Sequence, residues 1–251
     1  MSLARARGRG MMDTMPFANP QPSPHEKHIR IGRYLKDVIY AANDGIVTTF
    51  AVVAATVGGG LSPATILIVG VSNLIADGFS MASGNYLGTK SEQDFYKKEE
   101  AEEWREVRER PEEEQREVRE ILAAKGYAGR DLDDMLRLTT SRKQFWVDFM
   151  MREELQMHAP EGESAVRSAA VTFAAFIAAG AIPLLPFAFS GRSGSFFAAS
   201  VSTGIALFAV GSLRAYFSRK SWILLGMEML LIGGSAAVIA YGVGALIQSI
   251  I

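Results

Sequence analysis

The stretch that decides the fold is residues 63–109, "PATILIVGVSNLIADGFSMASGNYLGTKSEQDFYKKEEAEEWREVRE". Its first half is apolar and longer than the roughly 20 residues a helix needs to cross a bilayer. Its second half is charged almost throughout, and no helix breaker stands between Gly88 and Pro111. One long helix is therefore expected, about half of it in lipid and half outside. Within the apolar half, Asn73, Asp77 and Met81 recur at i,i+4, which places them along one stripe about 12 Å long. An ionised carboxylate deep in a bilayer costs ~3 kcal/mol or more, so such a group usually faces a cavity, a partner or an ion.

Working outward, further apolar stretches run over residues 38–60, 168–189, 195–213 and 222–251. With 63–87 they predict five transmembrane helices. Five spans of this length exceed what buried helices of a soluble core would supply. The spans are rich in Gly, Ala and Ser, which suits close helix packing in lipid, and Gly84–Gly88 fits the small-xxx-small pattern. The run Gly58-Gly59-Gly60-Leu61-Ser62-Pro63 reads as a tight turn with Pro opening the next helix, so the first two spans form a hairpin. Pro183 and Pro186 predict a kink in the third span.

Charge is strongly segregated. Of 27 acidic residues 19 lie in 90–158, against 14 of the 26 basic ones, which leaves that insert acidic. The first 36 residues read as a disordered basic arm with no apolar core long enough for a signal peptide. The arm, the insert and the turn at 214–220 are rich in Lys and Arg, whereas the turn at 58–62 has no charge and the one near residue 191 only Arg192. The positive-inside rule then puts the N-terminus and the insert in the cytoplasm and the C-terminus outside. The organisation expected is an all-α polytopic membrane protein: arm 1–36, spans one and two in 37–89, an inserted helical domain in 90–160, and spans three to five in 161–251.

Three acids lie well inside the spans: Asp44, Asp77 and Glu228. Asn43, Thr48 and Thr49 add oxygen donors around Asp44. A row of oxygen donors can replace the water around a divalent metal, and the thioether of Met81 favours transition metals over Mg²⁺ or Ca²⁺. The plainer alternative has Asp77 bonded to a neighbouring helix and Met81 simply packed. Glu228 can snorkel or pair with Arg214.

In the insert, "EEEQREVREILAAKGY" reads as an amphipathic helix stopped at Gly126, 131–138 as a short helix, and "SRKQFWVDFMMREELQM" as another with Ser141 as N-cap. Few apolar residues belong to this insert alone, so it is expected to lean on the long helix or on a second copy. Glu103 and Glu106, Glu114 and Glu117, and Met150 and Glu154 form pairs one helical turn apart. Such pairs can build a multi-carboxylate metal site, but they also suit a solvated helix face with i,i+4 ion pairs, and spacing alone favours the solvated face. His158, one turn beyond Glu154, is a further possible ligand; His25 and His28 fall in the arm and carry no assigned role.

Taken together, "NDGIVTTFAVVAA", "ADGFSMASGNYLGTKSE", "RERPEEEQREVREIL" and "FMMREE" resemble the vacuolar iron transporter family. The similarity runs from about residue 38 to the C-terminus. It implies a homodimer of five-helix subunits that exports Fe²⁺, and in some members Mn²⁺, from the cytoplasm. The path would lie between the two copies of the first span, with Asp44 and Met81 as path residues. A cytoplasmic metal-binding domain would use Glu103, Glu106, Glu114, Glu117, Met150 and Glu154, the set that the pairing also picks out. Where eukaryotic members carry a Glu, this chain has Asn73, a neutral donor that holds no proton; either Asp77 takes over or proton coupling differs.

The expected function is thus Fe²⁺ (or Mn²⁺) export by proton antiport in a bacterial inner membrane, with lipid, metal ions and protons as partners. The rival is a membrane-anchored iron-binding or sensing module that transports nothing. A scaffold that docks a protein partner is a third reading. No Ser/His/Asp set, P-loop or cysteine is present, which speaks against an enzyme, ATP-driven pumping and thiol chemistry. The acidic insert argues against nucleic-acid binding.

Overall fold

The computed structural model describes residues 24–160, 164–190 and 195–250, and among these all regular structure is helical. The helices are α1 (Pro24–Gly58), α2 (Pro63–Glu109), α3 (Pro111–Ala124), α4 (Gly129–Thr140), α5 (Lys143–Glu153), α6 (Ala165–Gly180), α7 (Leu185–Ser190), α8 (Ser195–Leu213) and α9 (Trp222–Ile250). Five stretches are long and apolar enough to cross a membrane: Tyr34–Gly58, the apolar half of Pro63–Glu109, Ala165–Phe189, Ser195–Tyr216 and Trp222–Ile250. The chain is an integral membrane protein.

The rod expected from residues 63–109 is present without a break. It starts where the turn chemistry says: Ser62 caps it by accepting from the Thr65 N–H at 3.2 Å, and Pro63 sits at its first position. It ends at Glu109 because Pro111 has no N–H to continue the ladder and restricts the residue before it. At 1.5 Å per residue, its 47 residues span about 70 Å.

α1 is the hub of the membrane bundle, packing against α6, α9, α8 and α2. Glycine makes two of these approaches possible. A Cβ on Gly45 would stand 2.5 Å from the Phe176 carbonyl oxygen, and one on Gly180 2.7 Å from the Gly45 oxygen, so α1 and α6 meet backbone to backbone there. Further along, a Cβ on Gly244 would fall 2.0 Å from the Ala55 oxygen, which brings α9 onto α1. The third span breaks as its prolines require: α6 stops at Gly180, a 3₁₀ turn covers Ile182–Leu184, and α7 completes the crossing.

Outside the membrane bundle, α3, α4 and α5 close a small core against the outer half of α2. Val107 and Trp104 of the rod meet Val118, Leu122, Leu132, Trp146, Val147 and Met150. The insert therefore leans on the rod, one of the two options its composition left open, and no break separates span from domain at residue 90.

Two local expectations are corrected. The described part of the presumed arm is helical, α1 beginning at Pro24; Pro24 at a first helical turn and the absence of Gly or Pro up to Gly32 favour that extension. Residues 1–23 lie outside the described residues. Ser141 does not cap α5, whose N-cap is Arg142; its hydroxyl instead donates to the Leu138 carbonyl at 2.7 Å and finishes α4.

Candidate functional site

In the outer domain, Glu103 and Glu114 are each only 4% exposed. They are buried because they occupy the inward stripe of their helices, one turn from Val107 and Val118. One carboxylate oxygen of each, Oε2, is buried with no hydrogen-bond partner. An unpaired buried acid is costly in its charged form. Accordingly, the Glu103 carboxyl is pushed up to about 8, first by burial and then by the charges of Glu154, Glu114, Glu106 and Glu117. Glu114 is raised to about 7 by burial, then by Glu117, Glu106, Glu154 and Glu113. Glu154 is raised by burial, Glu117 and Glu106.

The five Glu residues singled out from the sequence thus act on one another's charge. Met150, fully buried, sits in the adjoining core. They do not form a closed coordination shell: among the described residues no three His, Asp or Glu stand close enough to hold an ion as they are. The arrangement is a gathered set of repelling carboxylates with two orphaned oxygens. A divalent cation would satisfy the oxygens and remove the repulsion together. Ion pairs elsewhere on the domain use other residues, such as Arg119 with Asp133 at 2.9 Å and Lys125 with Glu153. That leaves the solvated-face reading for the periphery and not for Glu103 and Glu114.

In the membrane bundle, Asp44 on α1 and Asp77 on α2 lie close enough for their charges to interact. Asn73 donates its Nδ2–H to Asp77 Oδ2 at 2.7 Å, so Asp77 is held by its own helix and not by a neighbouring one. Of the other oxygen donors proposed around Asp44, only Thr48 has a hydrogen bond to it, and that is to its backbone. The Thr48 hydroxyl bonds the Asp44 carbonyl at 2.7 Å, and Asn43 lines a separate cavity with Tyr40, Arg214 and Met229. Thr49 is buried with its hydroxyl unpaired. Met81 packs against the main core and also lines a cavity of about 550 Å³ with Asp37, Asn85 and Thr172.

Several site residues were not read from the sequence. Asp37 accepts a hydrogen bond from Ser168 at 2.8 Å, and Asn85 donates to Thr172 at 2.9 Å. Asn85 lies one turn after Met81, so extending the four-residue count along α2 would have found it; Asp37, two turns before Asp44 on α1, falls outside that count. Glu228 does pair with Arg214, at 3.8 Å on a partly exposed edge.

A bundle of five spans with an acid on each of its first two helices, and a buried carboxylate cluster on an extension of one span, defines an integral membrane protein with charged groups inside. The chain belongs to the VIT family, whose model matches residues 35–245. It is 32% identical over 225 residues to vacuolar iron transporter 1 of Eucalyptus grandis, covering 89% of this chain and 90% of that protein. It is 33% identical over 224 residues to vacuolar iron transporter 1 of Arabidopsis thaliana, covering 89% and 90%. To the vacuolar iron transporter of Toxoplasma gondii it is 37% identical over 229 residues, covering 87% of this chain and 76% of the other.

Proposed function

We propose that this protein exports Fe²⁺, and Mn²⁺ as a second substrate, from the cytoplasm in exchange for protons. The observation that carries the reading is the pair of buried, unpartnered oxygens of Glu103 and Glu114 at the centre of a repelling carboxylate set. It is supported by the family and by relatives that are iron transporters by name. The domain would collect metal with Glu103, Glu106, Glu114, Glu117, Met150 and Glu154, the soft thioether biasing it towards transition metals. Met81, Asp77 and Asp44 would pass the ion across the apolar layer, where each fixed negative charge offsets part of the cation's desolvation. Asn73 would keep Asp77 oriented without itself taking a proton.

The working unit in this reading is a homodimer with its path between the two copies of α1, in a bacterial inner membrane, the N-terminus and the domain facing the cytoplasm. Two features accord with a second copy: nothing lies within 4 Å of a Cβ placed on Gly84 or Gly88, and apolar Ile68, Ile75, Phe79 and Leu87 are exposed along α2.

The test is Fe²⁺ and Mn²⁺ flux in proteoliposomes under an imposed pH gradient. The parent is expected to move metal against a counter-flow of protons. At an effective dielectric of ~20, a unit charge ~4 Å away is worth ~4 kcal/mol, so Asp44→Ala should cut flux at least ~100-fold. An Asp44→Ala protein that transports like the parent would remove Asp44 from the path, and a parent that binds metal but moves none would favour the anchored binding module.

A further inference from the structure

Between the outer domain and the membrane bundle lies a cavity of about 500 Å³. Asp37, Asn85, Thr89, Glu92 and His158 line it, and its Lys36, Asp37 and Asn85 also line the 550 Å³ cavity that contains Met81. The two cavities thus share walls, and together they reach from Glu92 to Met81.

Their common floor is α2. The stripe that starts at Asn73, Asp77 and Met81 continues through Asn85 and Thr89 to Glu92. At 100° per residue, Met81 and Glu92 differ by only about 20° around the helix and lie about 16 Å apart along it. The same face runs on to Glu103, about 40° further round than Met81 and about 33 Å away. One face of one helix therefore passes from the buried carboxylate set, through both cavities, to Asp77.

The walls are built to hold polar groups in place. Ser168, itself 1% exposed, donates to Asp37 Oδ2 at 2.8 Å, and Asn85 is tied to Thr172 at 2.9 Å and to the Thr89 hydroxyl at 3.4 Å. A carboxylate offers about four lone-pair sites, and Ser168 uses one. His158 arrives by a strained turn: Gln156 has φ 54°, and this left-handed residue folds the chain back so that the Met157 N–H donates to the Met151 carbonyl at 2.8 Å. A non-glycine residue in that conformation persists only where its surroundings impose it.

We infer that this double cavity is a transfer station in which a hydrated divalent cation is held between Asp37 and Glu92, with His158 at its outer edge, on its way from the domain to Met81. The inference rests on the transport reading above. Six waters at about 30 Å³ each need about 180 Å³, so the 500 Å³ cavity has room for the ion with its shell. Two carboxylates face one ammonium, that of Lys36. The site therefore attracts a cation on balance, against the opposing charge of Lys36.

The experiment is Mn²⁺ flux in proteoliposomes together with equilibrium Mn²⁺ binding to the full chain in detergent. Asp37→Asn with Glu92→Gln is expected to lower flux at least ~10-fold while Mn²⁺ binding to the domain carboxylates stays at the parent's level, because neither residue belongs to that set. A doubly substituted protein that transports like a transporting parent overturns the station and leaves the transport reading intact; a parent without flux sinks the transport reading itself. If the double variant also loses domain binding, Lys36→Gln decides. It removes no carboxylate, and an apparent KM several-fold lower at unchanged maximal rate supports the station, whereas an unchanged or higher KM overturns it.

Discussion

The outer carboxylates and the acids in the membrane bundle are provided for in opposite ways. Asp77 already has a donor, the Asn73 amide at 2.7 Å, so the membrane stripe is partly satisfied without an ion. Glu103 and Glu114 are buried with an oxygen each unpaired and with four neighbouring acids pressing on each. The difference is between mutually repelling carboxylates with an unpaired oxygen each and a stripe whose Asp77 has a donor on its own helix. A site of the first kind suits capture and one of the second suits passage, because an ion that relieves much repulsion is bound firmly and one that replaces an existing hydrogen bond is released easily.

The sharpest way to break this comparison is Glu103→Gln with Glu114→Gln. Hydrogen bonds to charged groups contribute ~1.5–3 kcal/mol each, so Mn²⁺ or Fe²⁺ affinity of the full chain should fall about 10- to 100-fold or more. The same change should raise the thermal midpoint of the metal-free protein at pH 8, since it removes buried charge. A midpoint that falls would mean that the carboxylates stabilise the domain without metal. Calorimetry with and without Mn²⁺ reads both.

pH sharpens it next. Glu103 and Glu114, raised to about 8 and about 7, hold protons in the folded state that the unfolded chain has given up above its ordinary carboxylate range near 4.5. Their contribution to stability is complete below about 4.5 and is lost as pH rises through 7 to 8. Metal-free protein should therefore lose thermal stability between pH 5 and 8 in this domain, and the stabilisation by Mn²⁺ should grow over the same interval as protons stop competing for the oxygens. A flat profile would show that the burial is relieved some other way.

Smaller effects are expected in the membrane. Asn73→Leu removes one hydrogen bond to Asp77, worth ~1 kcal/mol, and should change flux by about fivefold, well below the effect of Asp44→Ala. Glu228→Gln breaks only a partly exposed ion pair of ~0.2–1 kcal/mol and should leave flux within about twofold of the parent. A large loss there would mean that the last span takes part in passage.

The parts of the fold that rest on local chemistry were legible in the sequence. The unbroken rod followed from the absence of a breaker between Gly88 and Pro111, and the hairpin from Ser62-Pro63. The kinked third span followed from two prolines. Ser141 misled because a serine near a helix junction can finish the helix before it as readily as cap the one after it. At the site, Glu103, Glu106, Glu114, Glu117 and Glu154 could be named, but their spacing resembles that of any solvated Glu-rich helix. What separates Glu103 and Glu114 from the rest is burial, which depends on Val107, Val118 and Trp146 meeting across three helices. Asp37 stayed hidden because its significance comes from Ser168, which is far from it in the chain and near it only after α6 packs on α1.

The continuity of α2 has one more consequence. A helix with no joint acts as an indexed shaft: the number of residues between Asp77 and Glu103 sets the phase of the outer domain relative to the membrane bundle. Inserting one residue after Lys90 would turn the domain by about 100° and advance it 1.5 Å, whereas inserting four would come back to within about 40° of the original facing. The chain can therefore tolerate a longer rod far better than a mistimed one.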